Sequence, residues 1–136
     1  MSVTVMKDGL QKISDGGTVG LAALTIHLYQ NNFTPTKGDT LAAYTEATFS
    51  GYAAQNSGAL GGDVWDGVNF VWTQQAATVT FSVGAGGVPN NVYGAYWTSA
   101  DGKLIAAERF AGAPIVMNTL GFSIGYTPTL TSESKF

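Results

Sequence analysis

The strongest constraint on this fold is the recurrence of apolar residues at every second position in short segments. Val79, Phe81 and Val83 alternate with Thr and Ser. Because successive side chains of a strand point to opposite faces, this period predicts β-strands with one face in a core. Three more segments show the same spacing in their apolar side chains: Leu24, Ile26 and Leu28; Val68, Phe70 and Trp72; and Leu120, Phe122, Ile124 and Tyr126.

A hairpin gives the clearest local signal. Two segments rich in strand-forming residues, Val92 to Thr98 and Lys103 to Phe110, flank the sequence Ser99-Ala100-Asp101-Gly102. A type I turn followed by a bulge needs a positive φ at its last position, which glycine adopts without strain. We therefore predict a hairpin whose turn ends at Gly102.

Helical signals are few. Asp39 precedes Thr40-Leu41-Ala42-Ala43-Tyr44 and is placed to cap the first turn of a short helix. Met6, Leu10 and Ile13 share one face if residues 6–13 are helical, and the same segment is equally compatible with an extended arm.

These patterns predict a mostly β fold, an antiparallel β-sandwich or barrel of the jelly-roll-like kind, with at most one or two short helices. A chain of 136 residues fits one domain. We predict an N-terminal arm over residues 1–15, a β domain over residues 16–126 and a C-terminal tail over residues 127–136.

The composition narrows the classes of partner. Charged residues make up 11% of the chain and hydrophobic residues 45%, whereas about a quarter of an ordinary soluble domain is charged. Such a surface is either an ordinary bland β surface or one covered by a neighbouring subunit. The net charge is −3 and the six Lys and Arg are scattered, which argues against nucleic acid as a partner. No apolar run approaches the ~20 residues of a membrane span, so we expect no membrane partner.

Catalytic and metal-binding groups are sparse. There is one histidine and no cysteine, and His27 alternates with core residues, so its side chain should face solvent. Glycosidase chemistry would need two carboxylates close together, and calcium would need several oxygen ligands. The candidate residues are Glu46, Asp63, Asp66 and Glu108 for the first, and Asp63, Asp66 and Asn69 for the second. Nothing in the sequence places two of the first set together, and the spacing of the second set matches no calcium-loop pattern, so we predict a protein that is not an enzyme, with no catalytic residue, metal or cofactor.

Contacts with other molecules are assigned to two groups of residues. Adjacent strand residues such as Tyr96 and Trp97 point to opposite faces, so one of each pair should be exposed. Trp65, Trp97 and Tyr93 are the candidates for exposed aromatic contacts, although core packing is the competing interpretation. In the arm, we predict that Val3, Val5, Met6, Leu10 and Ile13 pack on a neighbouring subunit, and that removal of residues 2–15 leaves a folded domain.

Four segments resemble a family of small virion proteins of tailed bacteriophages: residues 28–35, 40–52, 92–96 and 104–110. The similarity extends over roughly residues 24–122. It implies a structural subunit located in the virion and assembled in the host cytoplasm, most simply a capsid decoration or cement protein. Its implied partners are the major capsid protein and itself, as a homotrimer. Two alternatives stay open: a tail-fibre or receptor-binding subunit that contacts host glycans, and a free carbohydrate-binding module.

Overall fold

The computed structural model describes residues 3–6, 23–68 and 71–131, with the backbone alone at residues 62, 63, 71 and 72. Within these ranges strands dominate, and one short 3-10 helix spans Leu41–Ala43. The strands are β1 Thr4–Val5, β2 Leu24–Tyr29, β3 Gln55–Gly58, β4 Gly61–Asp66, β5 Val71–Gln75, β6 Val79–Ser82, β7 Asn90–Val92, β8 Gly94–Thr98, β9 Leu104–Arg109, β10 Ile115–Met117, β11 Ser123–Tyr126 and β12 Thr129–Thr131. The prediction of a mostly β fold is confirmed.

The strands form antiparallel sheets in a sandwich-like arrangement. The largest sheet has the order β1-β9-β8-β2-β3, and a three-stranded sheet has the order β12-β5-β4. Two further pairs, β10-β7 and β11-β6, complete the described strands, and no closed barrel is formed among them. The period-two segments at β2 and β6 behave as predicted, with buried Ile26, Leu28, Val79 and Phe81.

The five-stranded sheet is covered on both faces. One face carries Ile26, Leu28 and Trp97 in the main core. The other face carries Tyr29 and Tyr96, which pack with Tyr44, Leu104 and Met6 under the segment that follows β2. Because that segment covers the second face, consecutive residues of β8 are all buried. The prediction that Trp97 is exposed is therefore wrong.

The hairpin turn is confirmed. The N–H of Gly102 donates to the carbonyl of Ser99 at 2.9 Å, and Gly102 has a φ of +79°. Strands β8 and β9 leave this turn in antiparallel register, with Trp97 opposite Ala106.

The start of the chain belongs to the domain itself. β1 pairs with β9, so that Thr4 lies opposite Ala107, and Val3, Val5 and Met6 are buried in the two cores. The prediction that these three side chains pack on another subunit is wrong. β1 pairs with the edge of β9, and the apolar side chains at the start of the chain pack into the cores on both faces of the sheet. Leu10 and Ile13 lie outside the described residues.

The end of the chain also extends the fold. Residues 129–131 of the predicted C-terminal tail form β12, which pairs with β5. Leu130 is buried at 1% exposure. The tail prediction is wrong for these residues, because Leu130 contributes to the main core. Residues 132–136 lie outside the described part of the chain.

Two predicted strands begin later than expected. Val68 lies in a turn at 85% exposure, Phe70 is outside the described residues, and the strand itself starts at Val71. Leu120 and Phe122 are likewise exposed in the turn before β11. Apolar alternation predicted strands that include these positions, but the chain turns there and the side chains of Val68, Leu120 and Phe122 are exposed.

The predicted helical segment is shorter than expected and is not capped by Asp39. The carboxylate of Asp39 accepts from the backbone N–H of Thr36 at 2.7 Å and from the hydroxyl of Tyr44 at 2.8 Å. It therefore closes a local turn and anchors Tyr44 instead of binding the first amides of the 3-10 helix, whose N-cap residue is Thr40.

Candidate functional site

The β4–β5 hairpin presents a group of exposed apolar side chains, which we call the hairpin patch: Val64, Trp65 and Val68. Their exposed fractions are 62%, 61% and 85%. Among the described strands, β4 is the last in its sheet. Consecutive strand residues point to opposite faces, so the exposure of both Val64 and Trp65 means that each face of this strand end presents an apolar side chain that is more than half exposed.

A second exposed group, the loop patch, consists of Val88, Leu120 and Phe122. Backbone hydrogen bonds tie its segments together. The N–H of Val83 donates to the carbonyl of Phe122 at 2.8 Å. The N–H of the next residue, Gly84, donates to the carbonyl of Ser50, and the N–H of Ser50 donates to the carbonyl of Val88. Single exposed apolar side chains are ordinary, but grouped ones are typical of contact surfaces.

The other two aromatic candidates have different surroundings. Tyr93 is half-buried, and the guanidinium carbon of Arg109 lies 5.2 Å from the centre of its ring. Trp97 is fully buried, and its Nε1 donates to the hydroxyl of Tyr126 at 2.9 Å. Of the three predicted aromatic contacts, Trp65 is thus the one with an accessible ring.

His27 belongs to a polar cluster on the second face of the five-stranded sheet. Its Nδ1 lies 2.7 Å from Glu46 Oε2, and its Nε2 lies 2.9 Å from the hydroxyl of Thr98. Tyr52 donates to the same oxygen of Glu46 at 2.7 Å, and the ring of Tyr96 stacks on the imidazole at 4.6 Å. The prediction of a solvent-facing His27 is wrong, because the side chain is 17% exposed and has an acidic partner.

The order hydroxyl, imidazole, carboxylate is also the order of a nucleophilic triad, which the sequence pattern did not indicate. A triad needs an accessible nucleophile with oxyanion donors beside it. Thr98 is buried, and the N–H of the next residue, Ser99, already donates to the carbonyl of Lys103 at 2.9 Å. The cluster therefore fits a structural role, in which both ring nitrogens of His27 are hydrogen-bonded.

The tyrosines around this cluster are neutral near pH 7. Burial raises the pKa of Tyr96 to about 12, and burial of Tyr29 also raises its pKa to about 12. Burial, followed by the hydrogen bond to Glu46, raises the pKa of Tyr52 well above its usual range. Near neutral pH the hydroxyl of Tyr52 therefore keeps the proton that it donates to Glu46.

A cavity of about 490 Å³ opens between the end of β9, the start of β10 and β11. Its polar end is formed by Glu108 and Tyr126, and the Tyr126 hydroxyl donates to Glu108 Oε1 at 2.9 Å. Burial raises the pKa of Glu108 above its ordinary value of 4.5, while the hydrogen bond from Tyr126 lowers it less strongly. The lining includes Glu108, Phe110, Ile115, Ile124, Tyr126 and Thr127.

The carboxylates considered for hydrolysis or calcium are spread over different places. Glu46 hydrogen-bonds to His27 on one face of the large sheet, whereas Glu108 faces the cavity with Tyr126. Asp66 accepts from the N–H of Val68 at 2.9 Å at the end of β4. The side chain of Asp63 and all of Asn69 lie outside the described residues. Among the residues that the structure describes, no group of three His, Cys, Asp or Glu is placed to hold a metal.

Comparisons with protein-family models, with curated proteins and with solved structures found no match. In the described part of the chain, no helix is long and apolar enough to cross a membrane.

Proposed function

We propose that this chain is a non-enzymatic structural subunit of a tailed-phage particle, and that it acts as a decoration or cement protein by binding other virion proteins and copies of itself. The observation that carries the binding role is the pair Val64 and Trp65. These neighbours lie on a strand at the edge of its sheet in the described part of the chain, and both are more than half exposed. The assignment to a phage particle depends on the sequence resemblance.

The hairpin patch has the physical properties of a contact surface. Burying an aliphatic side chain of this size contributes about 1.5–3 kcal/mol, and exposed Trp is among the residues that most often anchor an interface. The chain carries few charges, so a partner can cover its surface with little cost of charge desolvation.

The position of β4 at the edge of its sheet adds a second mode of contact. The backbone groups along the outer side of an edge strand can pair with a strand of another chain, which provides main-chain hydrogen bonds in addition to side-chain burial. Val64 and Trp65 would then lie on the two faces of the extended sheet and contact the partner on both.

A cement function follows from mass action. A protein that binds the assembled lattice better than its separate pieces stabilises the assembly. The core of the domain supports this role, because both faces of its large sheet are packed and the contact residues project from a defined strand end.

The test uses a double variant that carries both Val64→Ser and Trp65→Ser. The single variant Leu41→Ser is its control. Leu41 is also exposed but lies on the 3-10 helix, away from the hairpin patch. Incorporation into particles of the phage whose genome encodes the chain is measured by quantitative gel analysis of purified virions, and self-association by light scattering.

We expect the double variant to remain folded and to lose incorporation, while Leu41→Ser is incorporated like the wild type. Absence of the wild-type chain from purified particles would refute the virion assignment. Normal incorporation of a folded double variant would refute the role of the hairpin patch.

A second candidate function, contact with host glycans from the tail, is favoured by the exposed indole of Trp65, because exposed aromatic rings stack on sugars. A glycan array separates the two functions. Binding by the isolated chain that is lost in Trp65→Ser, with normal incorporation of that variant, would favour the glycan-binding subunit over the cement protein.

A further inference from the structure

The direction of hydrogen bonding at the cavity between β9, β10 and β11 is set by Trp97. An indole N–H can only donate, so the hydroxyl oxygen of Tyr126 accepts from Trp97 at 2.9 Å. The single hydroxyl proton of Tyr126 is then directed to Glu108 Oε1 at 2.9 Å. Glu108 is thereby held as an acceptor at the polar end of the cavity.

The remaining walls are mainly apolar. Phe110, Ile115 and Ile124 supply an aromatic ring and two branched aliphatic side chains. The hydroxyl of Thr127 lies 2.6 Å from the hydroxyl of Thr78, so it is already engaged in a hydrogen bond. A ligand that fits this cavity needs a short apolar body and a head group that donates hydrogen bonds to a carboxylate.

We propose that this cavity binds a primary ammonium group carried on a short aliphatic chain, with Glu108 as the counter-charge and Phe110, Ile115 and Ile124 around the methylene groups. The ammonium belongs either to a free alkylamine or to a lysine side chain of another protein, since both present the same chemistry. This site is separate from the hairpin patch and does not depend on the proposed function.

Electrostatics favours a cation over a neutral or anionic ligand. Glu108 is half-buried and its carboxylate loses part of its hydration, and a hydrogen-bonded cation replaces that lost interaction. An anionic ligand of the same shape meets repulsion in the same position.

The experiment is a titration of the ¹⁵N-labelled full chain, followed by NMR shifts of the amides of residues 108–111 and 124–127. The probe is n-butylammonium chloride, and the matched ligands are sodium butyrate and butan-1-ol, which share its size but not its charge. We expect saturable shifts with n-butylammonium and none of comparable affinity with the other two.

The matched variant is Glu108→Gln, whose amide oxygen can still accept from Tyr126 while the charge is removed. Loss of a charge-assisted hydrogen bond should weaken n-butylammonium binding roughly tenfold to a hundredfold. Glu46→Gln removes a carboxylate from the opposite face of the large sheet and should leave the affinity unchanged. Retained dispersion of the amide signals of β2 and β8 in both variants shows that the fold is retained.

Nα-acetyl-lysine methylamide distinguishes the two sources of the ammonium group. Binding of both amines means that a lysine side chain can enter from a protein backbone, whereas binding of n-butylammonium alone assigns the site to free amines. The proposal is overturned if wild-type protein does not bind n-butylammonium, if butan-1-ol binds equally well, or if folded Glu108→Gln keeps the wild-type affinity.

Discussion

The indole nitrogen of Trp97 lies 2.9 Å from the hydroxyl oxygen of Tyr126, and both side chains are buried. Trp97 belongs to β8 of the five-stranded sheet, and Tyr126 belongs to β11, which pairs with β6. The hydrogen bond therefore joins two layers of the fold. It also links the core to Glu108, because the hydroxyl of Tyr126 donates a hydrogen bond to that carboxylate.

Tyr126→Phe should lower the free energy of unfolding by about 1–3 kcal/mol, because it leaves the buried N–H of Trp97 without its acceptor. Urea unfolding followed by Trp fluorescence measures the change. Tyr93→Phe is the control, since the ring of Tyr93 is only half-buried, and it should change stability by less than about 0.5 kcal/mol. Equal stability of the two variants would contradict a structural role for the Trp97–Tyr126 hydrogen bond.

Glu108→Gln should stabilise the domain relative to the wild type as the pH rises from acid to neutral. Burial raises the pKa of Glu108 above 4.5, so the folded state holds this proton more tightly than the unfolded state. Its contribution to stability is present below pH 4.5 and is lost as the pH rises through the raised pKa. Unfolding free energies of both proteins across this range test the sign. A difference that is constant or shrinks with rising pH would refute it.

Gly94→Ala should destabilise the domain strongly. A methyl group at this position would overlap the backbone carbonyl oxygen of Glu108 and lie 2.6 Å from the hydroxyl of Tyr29. Overpacking of a rigid site costs about 1–3 kcal/mol or more. Gly61→Ala, where no atom lies within 4 Å of the added carbon, is the matched control. A melting temperature for Gly94→Ala equal to that of the control would show that β8 and Tyr29 can separate without cost.

Gly102→Val should lower stability by about 1–2 kcal/mol through backbone strain alone. The residue has a φ of +79°, and no atom lies within 4 Å of an added Cβ. Gly38→Val controls for the change of side chain, since Gly38 also faces open space but has no positive φ. Thermal unfolding measures the melting temperatures of both variants. Equal melting temperatures of Gly102→Val and Gly38→Val would exclude backbone strain at this turn.

Met6→Ala should cost about 2–5 kcal/mol, as expected for a fully buried side chain, whereas Val64→Ala on the exposed end of β4 should cost less than about 0.5 kcal/mol. For the same reason, deletion of residues 2–15 should destabilise the domain, since it removes β1 from the edge of β9. Chemical unfolding measures both effects. A truncated chain with wild-type stability would show that β1 contributes nothing to the fold.

Local patterns predicted the local elements. The alternation of Leu24, Ile26 and Leu28 depends on strand geometry alone, and the turn at Gly102 depends on the backbone preference of one residue. Both are properties of adjacent positions, so neither requires knowledge of what packs above them. The mostly β class follows from the same signals.

Burial and contacts were missed where distant segments decide them. Trp97 and Tyr96 are both buried because residues after β2 cover the second face of the sheet, which alternation cannot reveal. His27 meets Glu46 because a single bridge places Tyr29 opposite Glu46. The exposed Val64 and Trp65 carry no distinguishing spacing, and their accessibility follows only from the place of β4 in the strand order.

The pairing of β1 with β9 has a consequence for synthesis of the protein. During translation, β1 leaves the ribosome long before β9 exists, and β2 must also wait for β8. Closing such long loops slows folding, and strands that wait for their partners are prone to pair with other chains. The yield of native protein therefore depends on how well the nascent chain is kept apart from its neighbours until β8 and β9 have emerged.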